Sequence, residues 1–181
     1  MSNIINTDIC ILGSGMVGLS IAHQISERFP FLNITIVEKE LDAGKHASGR
    51  NSGVLHAGLY YQPESLRAKV CINGAKRLKE WCIDHNIPVM ECGKVITPQR
   101  VELDKQLDTL LERGTKNGVN VELIDEVQFN ELVPDGHTST GRAIWSPNTC
   151  VVKPIQVIQK LKQNLKERGV FFSFKPHQSF L

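Results

Sequence analysis

The sequence predicts an α/β protein in which a βαβ unit begins a parallel sheet and a segment of different pattern is inserted further along the chain. An apolar run at 9–12 is followed by a glycine-rich turn, by a segment with helical spacing, and by a second apolar run at 34–37. The turn has the spacing G-x-G-x-x-G, and Glu38 stands 20 residues after its last glycine, Gly18. Strand, glycine turn, helix, strand and acid in this order are typical of a Rossmann-like dinucleotide-binding domain.

The two strands and the helix of this unit follow from their residue patterns. The run ICIL at 9–12 is short and apolar, as a buried strand is. The helix after it carries its apolar residues on one face, and Pro30 prevents it from continuing. The run ITIV at 34–37 is rich in β-branched residues, which predicts a second strand that ends at Glu38.

Helices and strands alternate beyond residue 60. The predicted elements are, in order, a helix over 63–86, strand composition around 89–98, a helix over 101–118, a strand over 119–124, a helix over 126–132, a strand over 142–146, a helix over 153–169 and a strand over 170–174. Gly118 and Gly169 are predicted helix stops, and Pro154 starts the last helix. We predict that the nucleotide-binding domain consists of 1–87 and 151–181, and that 88–150 is part of an α+β substrate domain.

Composition and charge are those of an ordinary globular protein. The 181 residues are 41% hydrophobic and 22% charged, with a formal net charge of +2, so we predict no nucleic-acid partner. No apolar run reaches the roughly 20 residues of a membrane span, and a signal peptide is not indicated. We therefore expect a cytoplasmic protein, with peripheral contact to the inner membrane left open. The five scattered cysteines predict free thiols and no metal site.

The glycine turn predicts contacts to a dinucleotide. Gly13 allows the tight turn, Gly15 lets a pyrophosphate approach the backbone, and Gly18 lets the helix pack on the strand. The helix start presents N–H groups to phosphates, and Glu38 accepts hydrogen bonds from ribose hydroxyls while disfavouring the 2′-phosphate of NADP. The residues predicted to contact the dinucleotide here are Gly13, Gly15, Met16, Val17, Gly18, Glu38 and Lys39. The alternative is a turn that only packs a helix on a strand, with Glu38 solvated.

The stretch LDAGKHASGRNSGVLHAGLYY favours FAD over NAD. A simple NAD-binding unit leaves its second strand through a modest loop, whereas this chain inserts a long glycine-rich segment. Glycines such as Gly53 permit close approach to a flat or phosphorylated group. Ser48, Asn51 and Ser52 add short donors and acceptors, and His56 is a side chain that moves protons near neutral pH.

Four segments together resemble a known family. GSGMVG, EK, SGRNSGVLHAGLYYQPESLRAK and CGKVI are similar to the FAD-dependent oxidoreductases of the D-amino-acid-oxidase type, and within them to the enzymes that oxidise L-2-hydroxyglutarate. The resemblance spans residues 5–174. GSGMVG is shared by many flavoproteins, whereas NSGVLHAGLYYQPESL is much more specific.

The resemblance implies FAD as the cofactor and oxidation of L-2-hydroxyglutarate to 2-oxoglutarate as the reaction. A hydride passes from substrate C2 to flavin N5, and electrons leave to a quinone-linked chain or to oxygen. Ser48, Asn51, Ser52 and Gly53 run along the ribityl chain and the ring in this interpretation. His56 is the base or orients the hydroxyl. The alternative for His56 is a structural histidine that satisfies a buried backbone group.

Members of the family are considerably longer than this chain, and their second half supplies most of the substrate pocket. We therefore expect a fold truncated at its C-terminus, with exposed apolar faces and unpaired strand edges. Three alternatives to a self-sufficient enzyme follow: a non-catalytic fragment, a complementary chain that supplies the missing half, or a related flavin oxidase of amines, amino acids or glycerol phosphate.

Overall fold

The computed structural model describes residues 6–174. In this range nine β-strands and five α-helices follow one another: β1 (Ile9–Leu12), α1 (Met16–Arg28), β2 (Ile34–Glu38), β3 (Val54–Leu55), α2 (Leu66–Asp84), β4 (Val89–Met90), β5 (Lys94–Ile96), α3 (Lys105–Lys116), β6 (Glu122–Asp125), α4 (Glu126–Leu132), β7 (Arg142–Ser146), β8 (Cys150–Val152), α5 (Pro154–Glu167) and β9 (Phe171–Phe174). The sequence predicted all five helices. It missed β3 and β8, which have two and three residues and are too short for a periodic pattern.

The described residues form two compact units. The first unit comprises 6–53 and 153–174, and the second comprises 54–152. The two units divide after residue 53, whereas the sequence analysis ends the first segment of the nucleotide-binding domain at residue 87. Strand pairing explains this division. β3, which lies before residue 88, and β4 both pair antiparallel with β8, so the segment from residue 54 onwards shares a sheet with the end of the second unit.

The first unit is a parallel three-stranded sheet with two helices. The strand order is β1-β2-β9, with Ile9 opposite Ile34 and Thr35 opposite Phe171. The central strand β2 is almost continuously buried, as expected for a strand with neighbours on both sides. Helices α1 and α5 contact each other. Their fully buried side chains form the core of this unit and include Leu19, Ala22, Val157, Ile158 and Leu165.

The second unit contains two antiparallel three-stranded sheets, in the orders β3-β8-β4 and β5-β7-β6. A core cluster forms where α4 packs on β6 and β7 of the second sheet, and it consists of Ile124, Phe129 and Ala143. Helix α4 begins at a capping box, in which Asp125 accepts from the Gln128 N–H and the Gln128 side chain accepts from the Asp125 N–H. This box explains why α4 begins at the residue that the sequence predicted.

Apolar side chains are exposed along β1 and α1. Leu12 is 83% exposed and Val17 is 72% exposed. β1 is a terminal strand of its sheet within the described residues. Between residues 6 and 174 no helix has both the length and the apolar character that crossing a membrane requires.

Candidate functional site

The turn between β1 and α1 has the geometry that its glycines predict. Gly13 adopts a φ of +100°, and its N–H donates to the carbonyl oxygen of Val37 over 2.7 Å. A Cβ atom at Gly18 would collide with the Gly13 carbonyl oxygen. The helix can therefore start directly at the end of β1 only because position 18 has no side chain.

The first turn of α1 meets a serine from the following loop. Gly15 is the N-cap residue and offers no side-chain cap, and the first N–H groups of a helix have no intrahelical partner. The Met16 N–H donates to Ser48 Oγ over 3.0 Å, and a Cβ atom at Gly15 would lie 3.0 Å from the same oxygen. The helix start therefore presents N–H groups beside a serine hydroxyl, an arrangement that suits an anion such as a phosphate.

Glu38 is a buried, ionised carboxylate at the end of β2. Its Oε2 accepts hydrogen bonds from the Ser14 N–H and the Ser14 hydroxyl, both over 2.7 Å, and its Oε1 accepts from the Glu40 N–H over 3.0 Å. Burial raises the pKa of Glu38, but these hydrogen bonds outweigh it and hold the pKa below its ordinary value. The Lys39 N–H also bonds to this carboxylate and helps to lower its pKa, so the chain itself supplies four donors to Glu38.

A cleft of about 540 Å³ opens where the turn and β2 end, within the size range of small-molecule sites. Its lining residues are Leu12, Gly13, Gly15, Val37, Glu38, Lys39, Gly44, Lys45, His46 and Ser48. Leu12 and Val37 supply apolar walls. His46 Nε2 lies 2.7 Å from Glu40 Oε1. The cleft thus combines apolar walls, a helix start and one carboxylate.

The loop that carries Ser48 is held on α5. The Asp42 carboxylate accepts a hydrogen bond from Lys162 Nζ over 2.5 Å, and a Cβ atom at Gly44 would meet the Ile158 side chain. Burial raises the pKa of Asp42, whereas the hydrogen bonds from Lys162 and from the Ala43 N–H lower it, and the net pKa lies below the ordinary value. Asp42 is therefore ionised and pairs with Lys162, which fixes the loop.

The predicted cofactor residues fall into three groups in the structure. Those that line the cleft are Gly13, Gly15, Glu38, Lys39 and Ser48. Those at the first turn of α1 are Met16, Val17 and Gly18. The third group lies outside both the lining and helix α1 and consists of Asn51, Ser52 and Gly53.

Asn51 braces its own loop. Its side-chain amide donates to the carbonyl oxygens of Ala47 and Ser48, and its Oδ1 accepts from the Gly53 N–H over 2.9 Å. Gly53 has a φ of +69°, and Ser52 is exposed. The polar groups of Asn51 thus have partners in the loop, which gives this residue a local structural role.

Five lining residues were not predicted: Leu12, Val37, Gly44, Lys45 and His46. Leu12 and Val37 lie at or next to the carboxyl ends of adjacent parallel strands, where ligands bind in open α/β sheets. Their positions in the predicted strands could therefore have identified them as cleft residues. Lys45 and His46 belong to a loop whose path depends on its contacts with α5, which the sequence does not reveal.

His56 lies in the second unit, directly after β3, beside two other polar side chains. Its ring is 6.4 Å from that of Tyr60, centre to centre, and Lys94 Nζ donates to the Tyr60 hydroxyl over 2.7 Å. Partial desolvation lowers the pKa of His56, and the charge of Lys94 lowers it further. His56 is exposed and able to accept a proton in its neutral form. Among residues 6–174, no group of three or more His, Cys, Asp or Glu side chains could hold a metal ion.

A parallel sheet, a glycine turn at a helix start and a buried acid at the end of the second strand define a dinucleotide-binding α/β domain. The sequence matches the family model described as "DAO: FAD dependent oxidoreductase" over residues 8–180. The chain belongs to this family, which confirms the predicted fold class and FAD as the predicted cofactor.

Two curated relatives are L-2-hydroxyglutarate dehydrogenases named as mitochondrial. The protein from Nematostella vectensis is 39% identical and that from Homo sapiens 40% identical, each over 163 residues. These alignments cover 90% of this chain and 35% of each relative, so the chain spans about a third of the length of the curated relatives it matches.

Solved structures show the same fold at lower identity. L-α-glycerophosphate oxidase from Mycoplasma pneumoniae, with FAD bound, has a TM-score of 0.82 and 23% identity, covering 94% of this chain and 45% of that one. Glycine oxidase from Geobacillus kaustophilus has a TM-score of 0.83 and 18% identity, and the match covers 93% of this chain and 46% of that one.

The residues of the cleft fit the adenosine diphosphate part of FAD. A side chain at Gly15 would crowd Ser48 at the helix start, and its absence leaves the N–H groups open to a phosphate. Glu38 is the carboxylate of this lining that a ribose hydroxyl would meet.

Proposed function

We propose that this chain is part of a flavin-dependent oxidoreductase that converts L-2-hydroxyglutarate to 2-oxoglutarate. The supporting observation is the identity of about 40% to L-2-hydroxyglutarate dehydrogenases over 90% of this chain. The glycerophosphate and glycine oxidases share the fold at 23% identity or less, so they favour the alternative substrates only weakly.

The first unit would hold the cofactor. The residues proposed to contact FAD are Gly13, Gly15, Met16, Val17, Gly18, Glu38, Lys39, Ser48, Asn51, Ser52 and Gly53. The turn and the helix start bind the pyrophosphate, and Glu38 accepts a hydrogen bond from a ribose hydroxyl. Bound FAD would supply the redox chemistry, as the acceptor for the hydride of substrate C2 at its N5. Asn51 contributes by holding the loop that presents Ser48.

His56 is the proposed base. Its lowered pKa keeps the ring neutral at neutral pH, so a ring nitrogen can accept the proton of the substrate 2-hydroxyl. The proton moves from the hydroxyl oxygen to the imidazole as the C–H bond breaks. The electrons leave to a quinone-linked chain or to oxygen.

Flavin reduction under anaerobic conditions tests this function. The purified chain, supplied with FAD and desalted, is mixed with L-2-hydroxyglutarate, its D-enantiomer, glycine or glycerol 3-phosphate, and flavin absorbance is followed. We expect bleaching by L-2-hydroxyglutarate alone. Bleaching by glycine or glycerol 3-phosphate instead would contradict the proposed substrate.

A histidine pair tests the proposed base. His56→Ala should slow the bleaching by at least about 100-fold, the usual contribution of a positioned base, because the hydroxyl proton then has no acceptor. His137→Ala, a change at another exposed histidine of the second unit, is the matched control and should leave the rate unchanged. An unchanged rate in His56→Ala would remove His56 from the mechanism.

The compartment is a separate part of the proposal. The sequence analysis predicts the cytoplasm and leaves peripheral contact to the inner membrane open, whereas the curated relatives are named mitochondrial. Fractionation of cells that carry the tagged full-length protein separates these locations. Recovery in the cytosol, or release from membranes by salt, supports the prediction, and recovery inside mitochondria contradicts it.

A further inference from the structure

Lys94 is a half-buried cation without a carboxylate partner. It lies at the start of β5, and its Nζ donates to the Tyr60 hydroxyl over 2.7 Å. Within the described part of the chain no Asp or Glu oxygen lies within ion-pairing distance of this nitrogen. The same nitrogen lies 4.6 Å from the centre of the Tyr60 ring, so the aromatic face and the hydroxyl hold the ammonium in place without neutralising its charge, which leaves it available to an anion from outside this set of residues.

Tyr60 extends the donor set of Lys94. Its hydroxyl accepts from Lys94, which leaves its own O–H free to donate, and the ammonium keeps two further N–H groups. Tyr60 is 40% exposed, so a ligand from solvent can reach the hydroxyl. An ammonium and a phenol O–H side by side match the two oxygens of a carboxylate, because each oxygen then accepts one hydrogen bond.

The segment that carries Tyr60 is fixed to α3. Arg113 donates to the Tyr60 carbonyl oxygen over 3.3 Å, and the Asn117 amide donates to the carbonyl oxygens of Gly58 and Tyr61. Arg113 has no ion pair within 4.0 Å among residues 6–174, and its charge, which also acts on the neighbouring Glu112, adds a second cation beside the Tyr60 backbone. Hydrogen bonds therefore anchor the backbone of the segment that carries the Tyr60 hydroxyl. This anchoring lowers the conformational entropy that is lost when the donors are ordered around an anion.

We propose that Lys94 and Tyr60 form a carboxylate-binding subsite beside His56, which takes a carboxylate of an acidic substrate. The T-shaped contact between the His56 and Tyr60 rings places this subsite next to the proposed base. The inference rests on the proposed function and deepens it, because it assigns a substrate-recognising role to a lysine and a tyrosine. L-2-hydroxyglutarate, with two carboxylates, belongs to the class of ligand that the subsite selects.

Binding of glutarate tests the subsite separately from the redox reaction. Glutarate has the two carboxylates but no hydroxyl, so it binds without being oxidised, and glutaramide is its neutral counterpart. The full chain, with FAD supplied, is titrated with each compound while the ring C–H resonances of His56 are followed by NMR. We expect a saturable shift with glutarate and none with glutaramide.

Variants assign the binding to Lys94. Lys94→Met should raise the half-saturating glutarate concentration by at least about tenfold, the effect of losing one charge-assisted hydrogen bond, and Lys94→Arg should raise it less. Lys116→Met removes the same charge from an exposed lysine that pairs with Glu112, and it should leave binding unchanged. Tyr60→Phe removes only the hydroxyl and should weaken binding several-fold, which keeps the test valid if Lys94→Met does not fold.

Three outcomes overturn the subsite: no saturable shift with glutarate in the wild type, an equal shift with glutaramide, or unchanged binding in both Lys94→Met and Tyr60→Phe. Failure of the proposed function has a different result, because glutarate then binds but glycine or glycerol 3-phosphate bleaches the flavin in place of L-2-hydroxyglutarate. Failure of the subsite alone leaves flavin bleaching intact, with the same substrate dependence in Lys94→Met as in the wild type.

Discussion

The two units organise their candidate sites in opposite ways. The first unit builds its cleft around a recognisable glycine turn at 13–18, which the end of β2 and one loop serine complete across 24 and 32 residues. The second unit assembles a cluster of side chains far apart in sequence, since Lys94 and Arg113 bond to Tyr60 across 34 and 53 residues. The first site has an ionised carboxylate that accepts hydrogen bonds, and the second has cations that donate them. A short motif therefore specifies the first site, whereas tertiary packing specifies the second.

The largest effect is expected at the glycine turn. Gly18→Ala should lower the free energy of unfolding by about 3 kcal/mol, because the added Cβ collides with the Gly13 carbonyl oxygen and the backbone must shift. Urea unfolding of the purified variant measures this loss.

A helix glycine in the second unit provides the contrast. Gly74 lies inside α2 with open space around its Cβ position, so Gly74→Ala should raise the free energy of unfolding by about 0.5–1 kcal/mol. If Gly18→Ala were as stable as the wild type, the close contact between helix and turn would not be a requirement of the first unit.

An intermediate effect is expected at Glu38. Glu38→Gln should cost about 1–3 kcal/mol of unfolding free energy at neutral pH, because the buried Ser14 N–H loses its charged acceptor. The pKa of Glu38 in the folded state lies below its ordinary 4.5, so the carboxylate stabilises the fold above that pH. This contribution is lost as the pH falls through the folded-state pKa.

Unfolding curves across a pH series check this prediction. The difference between wild type and Glu38→Gln should shrink below pH 4.5. Glu112→Gln is the control, because Glu112 is a fully exposed carboxylate paired with Lys116 and should show a much smaller difference at every pH. A difference at Glu38 that does not depend on pH would mean that its charge is not what stabilises the turn.

The smallest effect is expected in the second unit, on the pKa of His56. Lys94→Met should raise the pKa of His56 towards its ordinary value of 6.5, because the repulsion between the two cations is removed. The pKa should stay below that value, since desolvation is the larger cause and remains. A pH titration of the His56 ring resonances measures the change, with Lys116→Met as the control. A pKa that is unchanged in Lys94→Met would place Lys94 too far away to act on His56.

The contrast between the units also explains what the sequence could predict. The glycine turn, Glu38 and the bounds of α4 and β7 follow from local patterns, and the structure has them where they were predicted. Asn51 was predicted as a cofactor contact, but its polar groups are used inside its own loop, which composition alone does not reveal. No local pattern pairs Lys94 with Tyr60, because their contact depends on how β5 and the segment at 56–61 pack.

The absorption spectrum of the purified chain, supplied with FAD and then desalted, tests the central claim that the first unit holds FAD. We predict flavin absorbance that survives desalting in the wild type and in Gly74→Ala, and that is lost in Gly15→Val, where a side chain crowds the helix start beside Ser48. A melting curve of Gly15→Val should show a folded protein, so that the loss reports on the cleft. A wild-type chain without flavin absorbance, or a folded Gly15→Val variant that retains it, would contradict the account.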